Sequence, residues 1–213
     1  MDQLFLSFDR IRKLSPELRN YILTKLVRVE VKKKDIILKE GKIATHIYFI
    51  EKGVVRSFHY YKKKERTSWI MKEGDFFVAV DSFFSQTPAS ENIEAVEDCI
   101  LQCITFDELD KAYELFWEFD RHGRVIVTHY YQLSEERNKM REASAFERFK
   151  FLMKYQSALL GRVSQKLLAS YLWMAPETFS LQKSKFANKK KEKTPPTPGK
   201  KRQVRKLPKR RKR

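Results

Sequence analysis

Between Val27 and Ile104 the chain runs through six short β-rich segments, VRVEV, DIILKE, HIYFIE, VVRSFHYY, TSWIM and DCILQCI, with Gly41, Gly53 and Gly74 at turn-like positions between them. This pattern restricts the fold more than any other feature. Runs of strand length rich in β-branched and aromatic residues, closed by glycine, point to a compact all-β barrel or sandwich. Half of the six glycines in the protein lie in this stretch, so its turns are built for reversal of the chain.

Helical signals flank the β region. Ser15-Pro16-Glu17 combines a capping residue, an N1 proline and an early acid, which predicts a helix from Pro16 to about Lys25 carrying Leu18 and Ile22. Thr105-Phe106-Asp107-Glu108 and Ser144-Ala145-Phe146-Glu147 are capping boxes, each opening a further helix; the second should run to about Leu160, before Gly161. Between them Phe119, Ile126, Leu133 and Met140 repeat every seven residues, with His122, His129 and Tyr130 near the intervening core positions. Such a repeat suits a dimer seam, with packing against the barrel as the competing use. In VSQKLLASYLWMAPETFSLQKSK, Ser164 caps a helix with Leu167, Leu168, Tyr171 and Leu172 on one face, and Pro176 starts a second helix. Two short helices joined by a tight turn suggest a DNA reader, with Thr178, Gln182 and Lys185 on an exposed face.

Charge and composition narrow the function. The net charge is +18, but Ala187–Arg213 holds fourteen Lys and Arg against Glu192 alone, so +13 lies there and +5 in the preceding 186 residues. A proline-broken basic run with no apolar face is read as a disordered tail able to attract phosphates without regard to sequence. No apolar run approaches a membrane span and MDQLFLSFDR lacks the marks of a signal peptide, which predicts a cytoplasmic protein with no membrane partner. Cys99 and Cys103 are expected to be buried reduced thiols rather than a redox pair. His46, His59, His122 and His129 show no ligand spacing, so no metal or other cofactor is expected, and His59 is read as structural rather than as a haem ligand. Only two of these histidines fall in the strands, too few for a metal-binding barrel enzyme.

The order of parts, together with Gly41, Ile47-Tyr48-Phe49-Ile50, Gly53-Val54-Val55-Arg56, Trp69, Gly74-Asp75-Phe76-Phe77, Leu168-Ala169-Ser170-Tyr171-Leu172 and Pro176-Glu177-Thr178, resembles the Crp/Fnr family of bacterial transcription regulators. The resemblance implies an α+β fold: a cyclic-nucleotide-binding-like β-barrel of the double-stranded β-helix type (1–115), a dimerisation helix (116–141), a helix-turn-helix domain (142–187) and the basic tail (188–213). It also implies a non-enzymatic homodimer binding DNA and a small-molecule effector. The effector site would draw on Gly74, Asp75, Ser82, Ser90, Glu91 and Asn92 for polar groups, with Phe76 and Phe77 as wall. DNA contacts would come from Ser164, Glu177, Thr178, Ser180, Gln182, Lys183 and Lys185, and the seam from Phe119, Ile126, Leu133 and Met140.

Two departures qualify these expectations. Family phosphate sites carry an Arg about a dozen residues after the Gly-Glu pair; here Asp75 replaces Glu and the segment around Ser90 and Glu91 has no Arg. A buried phosphate needs that cation, so an empty pocket or an effector other than a cyclic nucleotide is expected. In the reader, Trp173 occupies a turn position usually given to glycine, Ala175 is a weak cap, and Leu181 and Gln182 stand where an Arg and an inward apolar residue are usual. The alternative reading is therefore a small-molecule-binding or protein-interaction module whose helix-turn-helix no longer reads DNA specifically.

Overall fold

The computed structural model describes residues 2–192. Two helices, α1 (Asp2–Ile11) and α2 (Pro16–Lys25), precede eight strands: β1 (Val27–Val31), β2 (Ile36–Leu38), β3 (His46–Lys52), β4 (Val54–Tyr61), β5 (Lys64–Lys72), β6 (Phe76–Phe77), β7 (Asn92–Ala95) and β8 (Cys99–Thr105), with α3 (Val80–Ser85) between β6 and β7. Helices α4 (Phe106–Leu115), α5 (Phe119–Lys139), α6 (Ala145–Tyr155), α7 (Gln165–Tyr171) and α8 (Pro176–Glu192) follow.

The strands form two four-stranded antiparallel sheets, ordered β1-β8-β3-β6 and β2-β7-β4-β5. Their inner faces close on a core that includes Ile50, Val55, Met71, Phe77, Phe83 and Leu101. Alternation along β4 and β5 then sets what lies on either side of the second sheet. Val55, Ser57, Trp69 and Met71 face inward, whereas Val54 and Ile70 join a separate apolar cluster with Phe149, Leu168, Tyr171 and Phe179 of the C-terminal helices. One sheet thus serves both the barrel interior and the C-terminal helices. Gly53, between β3 and β4, has φ +104, and a Cβ there would stand 2.5 Å from Cys99 Sγ, so glycine is obligatory.

The predicted helix starts are found. Ser15, Thr105, Ser144 and Ser164 each accept a backbone N–H two or three residues into α2, α4, α6 and α7, at 3.2–3.3 Å. Such caps satisfy donors that have no partner within the helix, and each contributes about 1 kcal/mol. Helix α6 stops at Tyr155 rather than near Leu160, because the chain turns at Gln156, whose side chain donates to Ile70 O of β5, and continues as a single 3-10 turn, Ser157–Leu159. Helix α1, which has no cap signal in the sequence, buries Leu4, Phe5 and Phe8 against Phe49 and Phe119. The heptad residues of α5 are turned largely inward. Phe119 is buried in that cluster and Ile126 lies half-buried against it, while the buried His122 bonds to Arg12 O at 2.8 Å. The competing use for this helix, packing within the chain, takes the N-terminal half of the repeat.

Cys99 and Cys103 are free and buried, and burial raises both thiol pKa values, as expected of unreactive thiols. His59 bonds to Ser68 at 3.0 Å. The expected tail from residue 188 begins as the end of α8, which runs through Glu192; the rest of it lies outside the described residues.

Candidate functional site

A cavity of about 610 Å³ lies between the second sheet and α5. Strands β4 and β5 present Ser57, Trp69 and Met71 to it, the β6 segment adds Phe76 and Phe77, and α5 crosses with Ile126, Val127, Tyr130, Tyr131 and Ser134. Helical spacing explains the last group: these positions follow i, i+1, i+4, i+5 and i+8, one face of the helix. Phe77 stacks on Tyr48 with ring centres 4.8 Å apart, and the Phe76 N–H donates to Tyr130 Oη at 2.7 Å. The wall is therefore anchored to both the barrel and α5.

Among the sixteen residues lining this cavity Glu91 alone carries a charge. Burial pushes its carboxyl pKa up, and the nearby Ser57 and Ser68 hydroxyls and the Arg137 cation pull it down less strongly. Ser57 is 2% exposed, and its Oγ has no hydrogen-bond partner of good geometry.

Three of the eight expected effector residues, Phe76, Phe77 and Glu91, face the cavity. The others have structural tasks. Gly74 sits at φ +88 in the turn before β6, and Asp75 accepts the Lys72 N–H across that turn at 2.9 Å. Burial raises the Asp75 pKa, and its carboxyl is already engaged by the turn. Ser82 accepts the Ala44 N–H, Ser90 donates to Asp81 Oδ2, and Asn92 accepts the Glu40 N–H. These three clip the loops around α3 together. Ser57, Trp69, Tyr130, Tyr131 and Ser134 were not anticipated, because they come together only when β4, β5 and α5 are assembled.

Helices α7 and α8 are joined by a tight turn and pack together against α6. Phe179 is fully buried between α8 and Phe149 of α6, with ring centres 5.3 Å apart. That packing direction decides the rest of α8. Gln182, three residues on, is only 6% exposed, so it does not share an outward face with Lys185; the sequence expectation is corrected here. Leu181 is 53% exposed in its stead. Glu177, Ser180, Lys183 and Lys185 are exposed and Thr178 is half-buried, while the Ser164 hydroxyl caps α7 at the surface.

Trp173 takes φ +51, as a turn position usually given to glycine requires. A left-handed non-glycine residue costs about 1–2 kcal/mol, and two arginines hold it there. Arg148 donates from Nη1 to Leu172 O at 3.0 Å and to Trp173 O at 2.8 Å. The Arg137 guanidinium, on α5, lies 4.2 Å from the Trp173 ring centre, 4.5 Å from Tyr171 and 5.3 Å from Trp69, and donates to Tyr171 O at 3.1 Å. Trp69 also lines the cavity, so a single ring separates it from Arg137 and the α7–α8 turn. Arg137 is 7% exposed, and sequence reading missed it; at the end of a polar helix segment, SEERNK, nothing marks it as buried.

Residues 28–115 match the family model of the cyclic nucleotide-binding domain. The chain carries such a domain. The fold of the whole chain is similar to that of several solved structures at low sequence identity. It is similar to FixK2 from Bradyrhizobium japonicum, at 20% identity over 78% of this chain and 86% of that one, with a TM-score of 0.69. A putative transcriptional regulator of the crp/fnr family from Eubacterium rectale superposes at 0.63, with 15% identity over 83% and 85% of the two chains. A variant of CooA from Carboxydothermus hydrogenoformans superposes at 0.61, with 17% identity over 79% of each chain. No curated protein matches. Among the described residues no helix is long and apolar enough to cross a membrane, and no group of side chains is arranged to hold a metal ion.

Proposed function

We propose that the chain is a ligand-responsive transcription regulator that binds DNA as a homodimer and whose effector is not a cyclic nucleotide. One observation carries this reading: α5 lines the cavity with Tyr130, Tyr131 and Ser134 and, one turn later, holds the helix-turn-helix through Arg137. A ligand acts only by preferring one of two arrangements. A molecule that fills the cavity presses on Trp69 and α5, and so on the rings around Arg137.

Dimerisation is supported by apolar side chains left on the outer side of the same helix. Val127 and Tyr131 are exposed four residues apart, beside the exposed Phe84 of α3, and all three reach the mouth of the cavity. A second copy packed along α5 covers them. The seam is thus assigned to Val127 and Tyr131 together with Leu133 and Met140, in place of Phe119 and Ile126, which pack within the chain. Exclusion of cyclic nucleotides rests on the lining, which offers a phosphate one carboxyl group and no Arg or Lys. Glu177, Thr178, Ser180, Lys183 and Lys185 supply the DNA contacts, with Ser164 on a flanking phosphate.

Calorimetric titration with cyclic AMP and cyclic GMP should give no heat of binding; micromolar affinity for either overturns the effector assignment. Gel shifts on a duplex selected from a random pool should yield a palindrome with half-sites about 34 Å apart that stays preferred as salt rises. The exposed Leu181, where a cation would read guanine, favours a second reading, an interaction module with a drifted reader. Uniform binding that vanishes when residues 188–213 are deleted selects it.

A further inference from the structure

We propose that the barrel cavity takes an apolar ligand bearing a protonated amine, with the ammonium seated on the Glu91 carboxylate and the Ser57 hydroxyl. This rests on the reading of the cavity as the effector site and names the class of effector. About 610 Å³ of space lies within the range of small-molecule sites, and its walls are mainly rings and aliphatic chains. An apolar body is what such walls stabilise. The polar groups then fix its orientation.

Those groups have one sign. Glu91 makes no salt bridge among the described residues, and no Arg or Lys lines the cavity. The nearest buried cation, Arg137, is turned away, donating to Tyr171 O and stacked on Trp69, Tyr171 and Trp173. Ser57 Oγ is enclosed in the same wall beside the Glu91 carboxyl and makes no hydrogen bond of good geometry. An ammonium complements both groups: it donates to the hydroxyl oxygen and to the carboxylate, and it gives Glu91 the charge partner that burial makes expensive to do without. The rings of Trp69 and Phe76 add cation–π attraction if the amine lies between them. An anionic ligand of equal size meets a carboxylate with no cation to offset it.

The test uses the full chain without DNA, so that its outcome does not depend on the helix-turn-helix. Tryptamine, indole and indole-3-acetate, which share one ring system and differ in charge, are titrated by calorimetry. Tryptamine is expected to bind at least tenfold more tightly than indole-3-acetate and more tightly than indole. Glu91→Gln should reduce the tryptamine-to-indole ratio to about one, and Ser57→Ala should lower it by a few-fold. A wild-type protein that binds indole-3-acetate as well as tryptamine, or that binds no tryptamine at millimolar concentration, overturns the proposal without recourse to any variant. So does a Glu91→Gln protein of unchanged thermal stability that keeps the full preference. Amine binding that leaves the gel shift unchanged supports the ligand class and defeats the regulatory reading instead.

Discussion

Arg162 and Arg137 join the C-terminal helices to the rest of the fold at two places, and their surroundings are opposite in kind. Arg162, in the turn before α7, forks onto Glu73 and Glu97 at 2.6 Å each, and Glu73 also accepts the Gly53 N–H at 2.8 Å. Mutual attraction holds Glu73 down to about 2 and raises Arg162 above its ordinary value. Arg137 faces no carboxylate in hydrogen-bond contact; burial lowers its pKa, and its Nε has no partner. Its charge is held by a carbonyl and three rings from β5, α7 and the turn after α7. The first junction is fixed locally by charge, whereas the second exists only while three elements keep their places. Trp69 touches Arg137 directly and forms no part of the Arg162 bridge.

The largest effect is expected at the buried junction. Arg137→Ala removes a charge-assisted bond and three ring contacts and leaves Tyr171 O unpaired, which should cost about 3 kcal/mol in urea denaturation. A loss below 1 kcal/mol would mean that relief of the desolvated charge balances the contacts, and the buried junction would not be a stabilising one. Arg162→Ala should cost less, about 1 kcal/mol, since the pair is roughly a third exposed and screened by solvent. Its signature is in pH. Glu73 has a folded pKa near 2 against an ordinary 4.5, so its contribution is complete above about 4.5 and disappears as pH falls through 2. Acid denaturation of the wild type should show that loss between these limits. The Arg162→Ala curve should be flatter there, and an unchanged slope would show the bridge to be energetically silent.

Trp173→Gly tests whether ring contacts or backbone strain govern the turn. Glycine relieves about 1 kcal/mol at φ +51 but forfeits the stacking of Arg137 and Arg141, the latter at 5.3 Å, together with the buried part of the indole. A net destabilisation of about 1 kcal/mol is expected by thermal melting, with Arg137→Ala and Trp173→Gly far from additive because they remove one contact. Additive losses would uncouple the turn from α5.

What the sequence disclosed follows from the range of the interactions involved. Six of the eight strands, all but β6 and β7, were legible because a run of β-branched and aromatic residues closed by a turn is a local signal, and the starts of α2, α4, α6 and α7 because a cap and the donor it satisfies lie three residues apart. The cavity was legible only where it borders a loop, at Phe76, Phe77 and Glu91; Ser57 and Trp69 join it through the β4–β5 register. Arg137 was missed and Gln182 misread for the same reason. Each is a polar residue on a helix whose buried side is chosen by a distant partner, Tyr171 for one and Phe149 for the other.

The smallest expected change bears on Gln182, and it separates the two accounts of α8 most sharply. If the side chain lies beneath the helix beside Phe179 and Phe186, as its 6% exposure indicates, then leucine fits the same apolar neighbourhood without an amide to desolvate. Gln182→Leu should alter stability by no more than about 0.5–1 kcal/mol, in the stabilising direction, and leave DNA affinity and its salt dependence unchanged. Lys183→Ala, on the exposed side, should reduce the salt slope by about one while leaving the melting temperature alone. A Gln182→Leu protein that folds normally yet loses preference at one base position would return Gln182 to the outer face of α8, beside Lys185.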